Sequence, residues 1–283
     1  MLLKLENVKK QYDSFNLDCS IELRKGQVTG IIGRNGAGKS TTFKSILGLI
    51  FPDSGNIEIF ETPIDKLTTA AKEDIGVVLS DSNINELLRP TDMIPVLKAL
   101  YKNFSSEEFV NKCKELNIPL TKSVKDFSTG MKAKFKLIIA MSHKPKLLIL
   151  DEPTAGLDVI MRRELLDMLR EYMEDEEHGI LISSHISTDL EGLCDDLYFI
   201  SNGKILIHED TDVLLSEYCL LKLTQEQFQN IDKSFVLKTL QDNNTYLCLT
   251  NQKSFYQENY PDIAIERGNI DDFIIMMEKG ENN

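Results

Sequence analysis

Gly33-Arg34-Asn35-Gly36-Ala37-Gly38-Lys39-Ser40 is the stretch from which the fold of this chain can be read. It follows Val28-Thr29-Gly30-Ile31-Ile32, a short apolar run that reads as a buried strand. It leads into residues 39 to about 48, a helical run that Gly48 can stop. The octapeptide fits G-x-x-x-x-G-K-[ST] at every fixed position. Gly33, Gly36 and Gly38 let backbone N–H groups turn inward around phosphate oxygens, where a Cβ would obstruct them. Arg34, Asn35 and Ala37 complete the loop, and the helix starting near Lys39 adds its N-terminal dipole to the same anion site. Lys39 is expected to reach the β- and γ-phosphates of a nucleotide and Ser40 to ligate magnesium, with Thr41 beside them in the first helical turn.

Three further segments carry candidate chemistry. Leu147-Leu148-Ile149-Leu150-Asp151-Glu152 is an apolar strand ending in two carboxylates. Strand alternation is expected to point them differently, Asp151 toward the magnesium and Glu152 toward an attacking water. Phe127-Ser128-Thr129-Gly130-Met131 leads into a helix, and a serine and a glycine at a helix start make a second anion-binding end. Ile182-Ser183-Ser184-His185 ends a strand with a histidine, which on its own is usually structural and gains meaning only from the set.

Outward from these motifs the pattern is mostly αβ. Residues 3–8 and 17–23 alternate as half-solvated antiparallel strands, 56–60 is a short strand, and 75–79, 146–150 and 179–183 read as central strands. Residues 91–116 and 131–142 read as helices inserted into that pattern. After about Asp210 glycine thins out, and strand candidates at 219–223, 235–240 and 246–250 alternate with short helices. Thr224 and Gln227 make a possible capping box, and Asn269 opens a terminal helix that Gly280 could close. Two units are expected, residues 1–210 with a helical subdomain at about 83–142, and an α+β appendage at 213–283.

Composition sets outer limits. The 283 residues carry a formal charge of −13, which argues against nucleic acid as the main partner. No apolar run approaches a membrane span, and Met1-Leu2-Leu3-Lys4-Leu5-Glu6 is not a secretory signal. Five scattered cysteines suit reduced thiols in a cytoplasmic protein. Between Thr121 and Lys146 seven lysines face only Asp126, either as a solvated helix face or as an attractant for anions.

Taken in order, the loop at 33–40, Ser128 to Met131, Asp151-Glu152, Thr154 to Asp158 and His185 resemble the nucleotide-binding subunit of an ABC transporter, over about residues 1–210. Within that family the chain resembles stand-alone ATPase chains of Gram-positive bacterial exporters of peptides and lipid-linked antibiotics. The resemblance implies a P-loop NTPase core of RecA type with an antiparallel β subdomain, an inserted helical subdomain and the C-terminal appendage. It implies ATP and magnesium as cofactors, an integral membrane permease as partner, and a cytoplasmic place on the inner face of the membrane. It also implies head-to-tail pairing with a second ATP-binding subunit, as homodimer or heterodimer. Tyr12 would then stack on adenine, with Phe15 as a rival. Glu152 would be the general base, His185 would contact the γ-phosphate, Ser128 and Gly130 would reach the partner's ATP, and Asp158 would communicate across the dimer. The membrane partner would dock on residues 83–125.

Two departures stand out. Phe127, Thr129 and Met131 replace three residues of the usual Leu-Ser-Gly-Gly-Gln signature, and Ser80 stands where the family places a glutamine that touches magnesium and water. Asp81 or an ordered water is expected to take over part of that role. A soluble ABC ATPase acting on ribosomes, DNA or assembly is the alternative. It is disfavoured by the single phosphate loop and the lack of long heptad runs. A small-molecule P-loop kinase would not need the signature.

Overall fold

The structure is a computed structural model that describes residues 1–82 and 84–281. Asn83, the first residue of the expected helical block, and Asn282 and Asn283 at the end of the expected appendage lie outside the described residues.

Ten strands form the main sheet: β1 (Leu3–Gln11), β2 (Asn16–Leu23), β3 (Val28–Ile32), β4 (Ser54–Ile59), β5 (Thr62–Pro63), β6 (Ile75–Val78), β7 (Leu147–Asp151), β8 (Gly179–Ser184), β9 (Asp196–Ser201) and β10 (Lys204–Asp210). Their order is β5-β4-β1-β2-β10-β9-β3-β8-β7-β6. The strands β9, β3, β8, β7 and β6 run parallel, and every residue of β3, β7 and β8 is buried, as expected of strands covered on both faces. The other wing, β1, β2, β4 and β5, is antiparallel and, among the described residues, pairs with the rest at Lys204–Asp18.

Period-two alternation divides the core between the two faces. Leu147 and Ile149 of β7 join Phe43 and Ile46 of α1 (Lys39–Ile46). Leu148 and Leu150 of the same strand join Phe135 and Ile138 on the opposite face, together with Leu165 and Leu169. Gly48 follows α1 at φ +68°, the left-handed position a helix stop favours.

After α2 (Thr69–Lys72) and β6 comes the helical insertion. The single helical stretch expected over 91–116 is in fact two, α3 (Pro90–Leu100) and α4 (Ser106–Glu115). Tyr101 turns extended, and Ser105 Oγ accepts the Glu108 N–H as a new N-cap. The continuous apolar spacing concealed that local competition. The next helix, α5 (Thr129–Met141), starts two residues earlier than expected because Ser128 caps it.

The lysine-rich stretch is largely paired. Lys132, Lys134, Lys144 and Lys146 meet Glu86, Glu164, Glu108 and Asp74 at 2.6–2.9 Å, and Lys136 donates to the Ser82 carbonyl at 2.5 Å. Its cations face acids brought from elsewhere in the chain, which supports the reading of a solvated face.

Two helices, α6 (Val159–Tyr172) and α7 (Ser187–Glu191), flank β8, and α8 (Thr211–Ser216) follows β10. The second sheet has the order β12-β13-β11-β14, from β11 (Cys219–Thr224), β12 (Val236–Asp242), β13 (Thr245–Thr250) and β14 (Ala264–Arg267). With α9 (Gln225–Asn230), whose Thr224–Gln227 capping box forms, and α10 (Lys253–Asn259), it encloses a small core around Leu221, Cys248 and Tyr256. β14 was not expected: four residues, mostly exposed, give no alternation to read. The last helix, α11 (Ile270–Lys279), leaves that sheet and buries Phe273 and Met276 in the core that contains Phe199 of β9. All five cysteines are free and buried, and no helix among the described residues is long and apolar enough to cross a membrane.

Gly76 tests the packing of the edge strand β6. A Cβ there would lie 2.3 Å from the Ala140 carbonyl oxygen and 2.5 Å from Leu148 Cδ2. Gly76→Ala should cost about 1–3 kcal/mol, seen as a lower urea midpoint at unchanged slope. Gly192→Ala, where the nearest atom is 3.5 Å away, should stay within about 0.5 kcal/mol of the parent.

Candidate nucleotide site

The parallel strands β3 and β7 deliver their C-terminal ends to one crevice of about 550 Å³. Around it stand Arg34, Asn35, Gly36, Gly38, Lys39, Ser40 and Thr41 from the glycine loop, with Ser80, Glu152 and His185 opposite. Ala37 is buried beneath the loop. Gly36 and Gly38 hold φ +84° and +117°, and a Cβ on Gly33 would sit 2.3 Å from the Ile200 carbonyl oxygen. Gly38 is the N-cap of α1 and offers no side-chain acceptor, so the first-turn N–H groups remain available to an anion.

Lys39 is 5% exposed. Its ammonium donates to the Gly33 carbonyl at 2.6 Å and the Arg34 carbonyl at 3.4 Å, and pairs with Glu152 Oε1 at 3.1 Å. Asp151, buried at the end of β7, is a meeting point of hydroxyls. Ser40 and Ser80 both donate to its Oδ2, at 2.8 and 2.7 Å, and Ser183 donates to Oδ1 at 2.7 Å.

Asp151 and Glu152 do diverge, for a reason other than simple alternation. β7 ends at Asp151, and Glu152 takes the left-handed conformation at φ +53°. Its N–H donates to the carbonyl and hydroxyl oxygens of Ser183, at 3.2 and 3.0 Å, which fixes the turn. The Glu152 carboxylate is thereby swung to Lys39 on one side and His185 on the other. His185 meets Glu152 Oε2 through Nδ1 and donates its backbone N–H to the same oxygen.

Ser183 is a further residue of the site, signalled in the sequence only as part of Ser183-Ser184-His185, where the histidine is the expected functional group. Asp81 or an ordered water is the expected substitute for the missing glutamine, and Asp81 is paired with Lys44 instead of reaching Asp151 or Ser80. Asp81 Oδ2 accepts from Lys44 at 2.6 Å, and that ammonium holds its carboxyl below the usual carboxylate range. The hydroxyl of Ser80 itself turns to Asp151.

Of the two aromatic candidates, Phe15 lines the crevice, and a Cβ on Gly38 would lie 2.9 Å from its Cζ. Tyr12 stands beside it, ring centroids 6.2 Å apart, and is 39% exposed. Ser128, Gly130 and Asp158 do not line the crevice; they form a separate group at two adjoining helix starts. Ser128 Oγ accepts the Met131 N–H at 3.2 Å, and Asp158 Oδ1 accepts the Met161 N–H at 2.9 Å. Gly130 is buried, and a Cβ on it would lie 2.7 Å from Met161 Cγ, so this glycine serves the packing of α5 on α6. Among the described residues no cluster of three or more His, Cys, Asp or Glu could hold a metal by itself.

Comparison with known proteins agrees with this geometry. The family described as "ABC transporter" matches residues 17–155. The lantibiotic transport ATP-binding protein SrtF of Streptococcus pyogenes is 36% identical over 215 residues, covering 75% of this chain and 92% of that protein. The linearmycin resistance ATP-binding protein LnrL of Bacillus subtilis is 34% identical over 212 residues, covering 72% and 68%. A solved ATP-binding subunit of an ABC transporter aligns with TM-score 0.68 at 28% identity, over 76% of this chain and 92% of that one. A dimeric ATP-binding cassette bound to ADP and Pi shares the fold, with TM-score 0.65 at 20% identity over 74% and 99%. Two relatives at 34% and 36% identity, each aligned over more than two thirds of this chain, fix the family: the chain belongs to the ATP-binding subunits of ABC transporters, the ABC ATPases.

Proposed function

We propose that this chain is the ATP-hydrolysing engine of a membrane exporter for a peptide, an antibiotic or a lipid-like compound. The carrying observation is that Lys39, Glu152 and His185 form one connected chain of contacts within hydrogen-bond range of Ser183 and Asp151. The names of its relatives, which speak of lantibiotic and bacitracin transport and of linearmycin resistance, support the cargo class.

In this reading the loop from Gly33 to Thr41 holds the phosphates of ATP and Lys39 exchanges Glu152 for phosphate oxygens. Phe15, with Tyr12 at its edge, receives the adenine. Magnesium fits the oxygen-only donor set of Ser40, Ser80 and Asp151, since this ion is commonly held by few protein oxygens plus phosphate. Bound there, it would neutralise the phosphate charge and polarise the bond to be broken. Glu152 accepts a proton from the attacking water, and His185 orients that carboxylate through its ring and its backbone N–H.

Ser128, Gly130 and Asp158 lie apart from the crevice of their own chain, which supports a head-to-tail pair in which each signature meets the other chain's ATP. ATP then acts as the adhesive, and hydrolysis weakens the pair. A separate integral membrane permease would dock on the helical insertion, with this chain peripheral on the cytoplasmic face. Residues 1–210 form the ATPase unit and 213–283 an accessory unit.

Glu152→Gln keeps shape but removes the base and the negative charge beside Lys39. It should retain ATP, lose at least about 100-fold in turnover, and run as a dimer on gel filtration with magnesium and ATP. Turnover at the parent rate would remove Glu152 from that role. Captured from gently solubilised membranes in this state, the chain should bring down a stoichiometric multi-span protein; recovery of ribosomes or DNA instead would favour the soluble alternative. Ser183→Ala strips one donor from Asp151 and one acceptor from Glu152 N–H. A loss of about 1–3 kcal/mol in urea unfolding and a slower ATPase are expected together.

A further inference from the structure

The helix α11 lies outside the segment that carries the nucleotide motifs, yet it touches two sides of the site. The Ile270 N–H donates to Glu191 Oε1 at 3.3 Å, and Glu191 ends α7, the short helix after His185. Phe273 stands edge-on to Phe199 of β9, centroids 6.0 Å apart. Near the other end, Glu278 Oε2 accepts from Arg34 Nη1 in the glycine loop at 3.3 Å. Beyond it, Glu281 pairs backbone to backbone with Thr239 of β12, which ties the same helix to the edge of the second sheet. Gly280 permits that approach, since a Cβ there would lie 2.9 Å from Lys238 Cβ.

We propose that Glu278 is a positioning residue for the nucleotide loop: it holds Arg34 away from the phosphates, so that docking of α11 and tight binding of ATP oppose each other. The proposal rests on the reading of residues 33–41 as the ATP cradle. The pair is asymmetric. Arg34 is 69% exposed, whereas Glu278 is 13% exposed and has Arg34 as its one ion-pair partner among the described residues. A guanidinium that leaves finds water, or the bidentate oxygens of a phosphate. The carboxylate it leaves is shielded and without an ion-pair partner among the described residues, which is unfavourable. A triphosphate in the loop also brings negative charge toward Glu278. Both effects set ATP against the Glu278–Arg34 contact. By linkage, the factor by which the contact weakens ATP is the factor by which ATP weakens the docking of α11. The second sheet, held to α11 through Glu281, thereby has a physical route to the nucleotide loop.

The test is a titration of the full chain with a fluorescent ATP analogue in magnesium, at low and at high salt. Glu278→Gln should bind about two- to fivefold more tightly at low salt, the range of a partly exposed pair. The gain should shrink as salt rises and vanish when Arg34→Gln is already present. Unchanged or weaker binding by Glu278→Gln, or an equal gain without Arg34, would overturn the proposal. Hydrogen exchange on the unmodified chain is the second measurement, needed where the variant folds poorly. The amides of residues 276–281 should exchange faster with magnesium and ATP; equal or slower exchange would overturn the proposal. A parent chain that binds no ATP would bring down the ATPase reading as well, whereas normal parent binding with an indifferent Glu278→Gln brings down this inference alone.

Discussion

A carboxylate buried at the end of a central strand must be hydrogen-bonded, and the way Asp151 meets that requirement organises the site. Its two oxygens collect hydroxyls from three different parts of the chain: Ser40 at the start of α1, Ser80 after β6 and Ser183 at the end of β8. An unpaired charge at that depth would be costly, so each hydroxyl is held by more than its own rotamer preference. The glycine loop and the loops after β6 and β8 are thereby registered against one strand end. The turn that carries Glu152 is fixed from the same place, because Ser183 both donates to Asp151 and accepts from the Glu152 N–H. One buried carboxylate thus aligns the glycine loop with the turn that carries Glu152.

The same economy governs the second group of motif residues. Gly130 and Met161 interlock where α5 crosses α6, and the Asp158 carboxylate caps the helix that Met161 belongs to. Farther along the two helices, buried Lys134 reaches Glu164 at 2.9 Å. These contacts make the start of α5 and the start of α6 one rigid corner. A ligand held by Ser128 would therefore also report on Asp158 through the packed first turns of α5 and α6. Arg162, 3.6 Å from Asp189, continues the connection from α6 to α7 and so toward the His185 loop. The retained members of the altered signature, Ser128 and Gly130, are the two that this corner needs for its own cap and its own packing.

What could be read from the sequence was what depends on near neighbours. The strand–loop–helix at 28–46, the apolar run ending in Asp151, the Ser128 and Asn269 caps and the Thr224–Gln227 capping box all follow from residues within a turn of one another. What stayed hidden depends on distant partners. The break at Tyr101 was concealed by apolar spacing that suits one long helix. The left-handed Glu152 is set by Ser183, 31 residues away. The lysine-rich stretch looked like an unbalanced island because Glu86, Glu108, Glu164 and Asp74 come to it from other elements. Tyr12 and Phe15 are equally placed by number, and only the fold puts Phe15 against Gly38. Gly280 does end α11, yet at φ −71°, so it is required by the approach of Lys238 and not by a left-handed turn.

Charge sets the remaining constraint. A chain at −13 does not attract an anionic nucleotide from a distance, since its long-range field has the wrong sign and is screened within about 10 Å at 0.1 M salt. In the proposed reading, affinity comes from groups that act at contact: backbone N–H groups of the loop, the open end of α1, and one ammonium. That ammonium is fully engaged, with two carbonyls and Glu152 as partners. A phosphate can claim it only by giving equal or better contacts, which an oxyanion with several oxygens in the loop provides and a monovalent anion does not. The exchange also changes the carboxylate. Glu152 loses a cation on one side while His185 continues to hold it on the other. In the proposed reading, phosphate binding at Lys39 and the freeing of one Glu152 oxygen follow from a single exchange of partners.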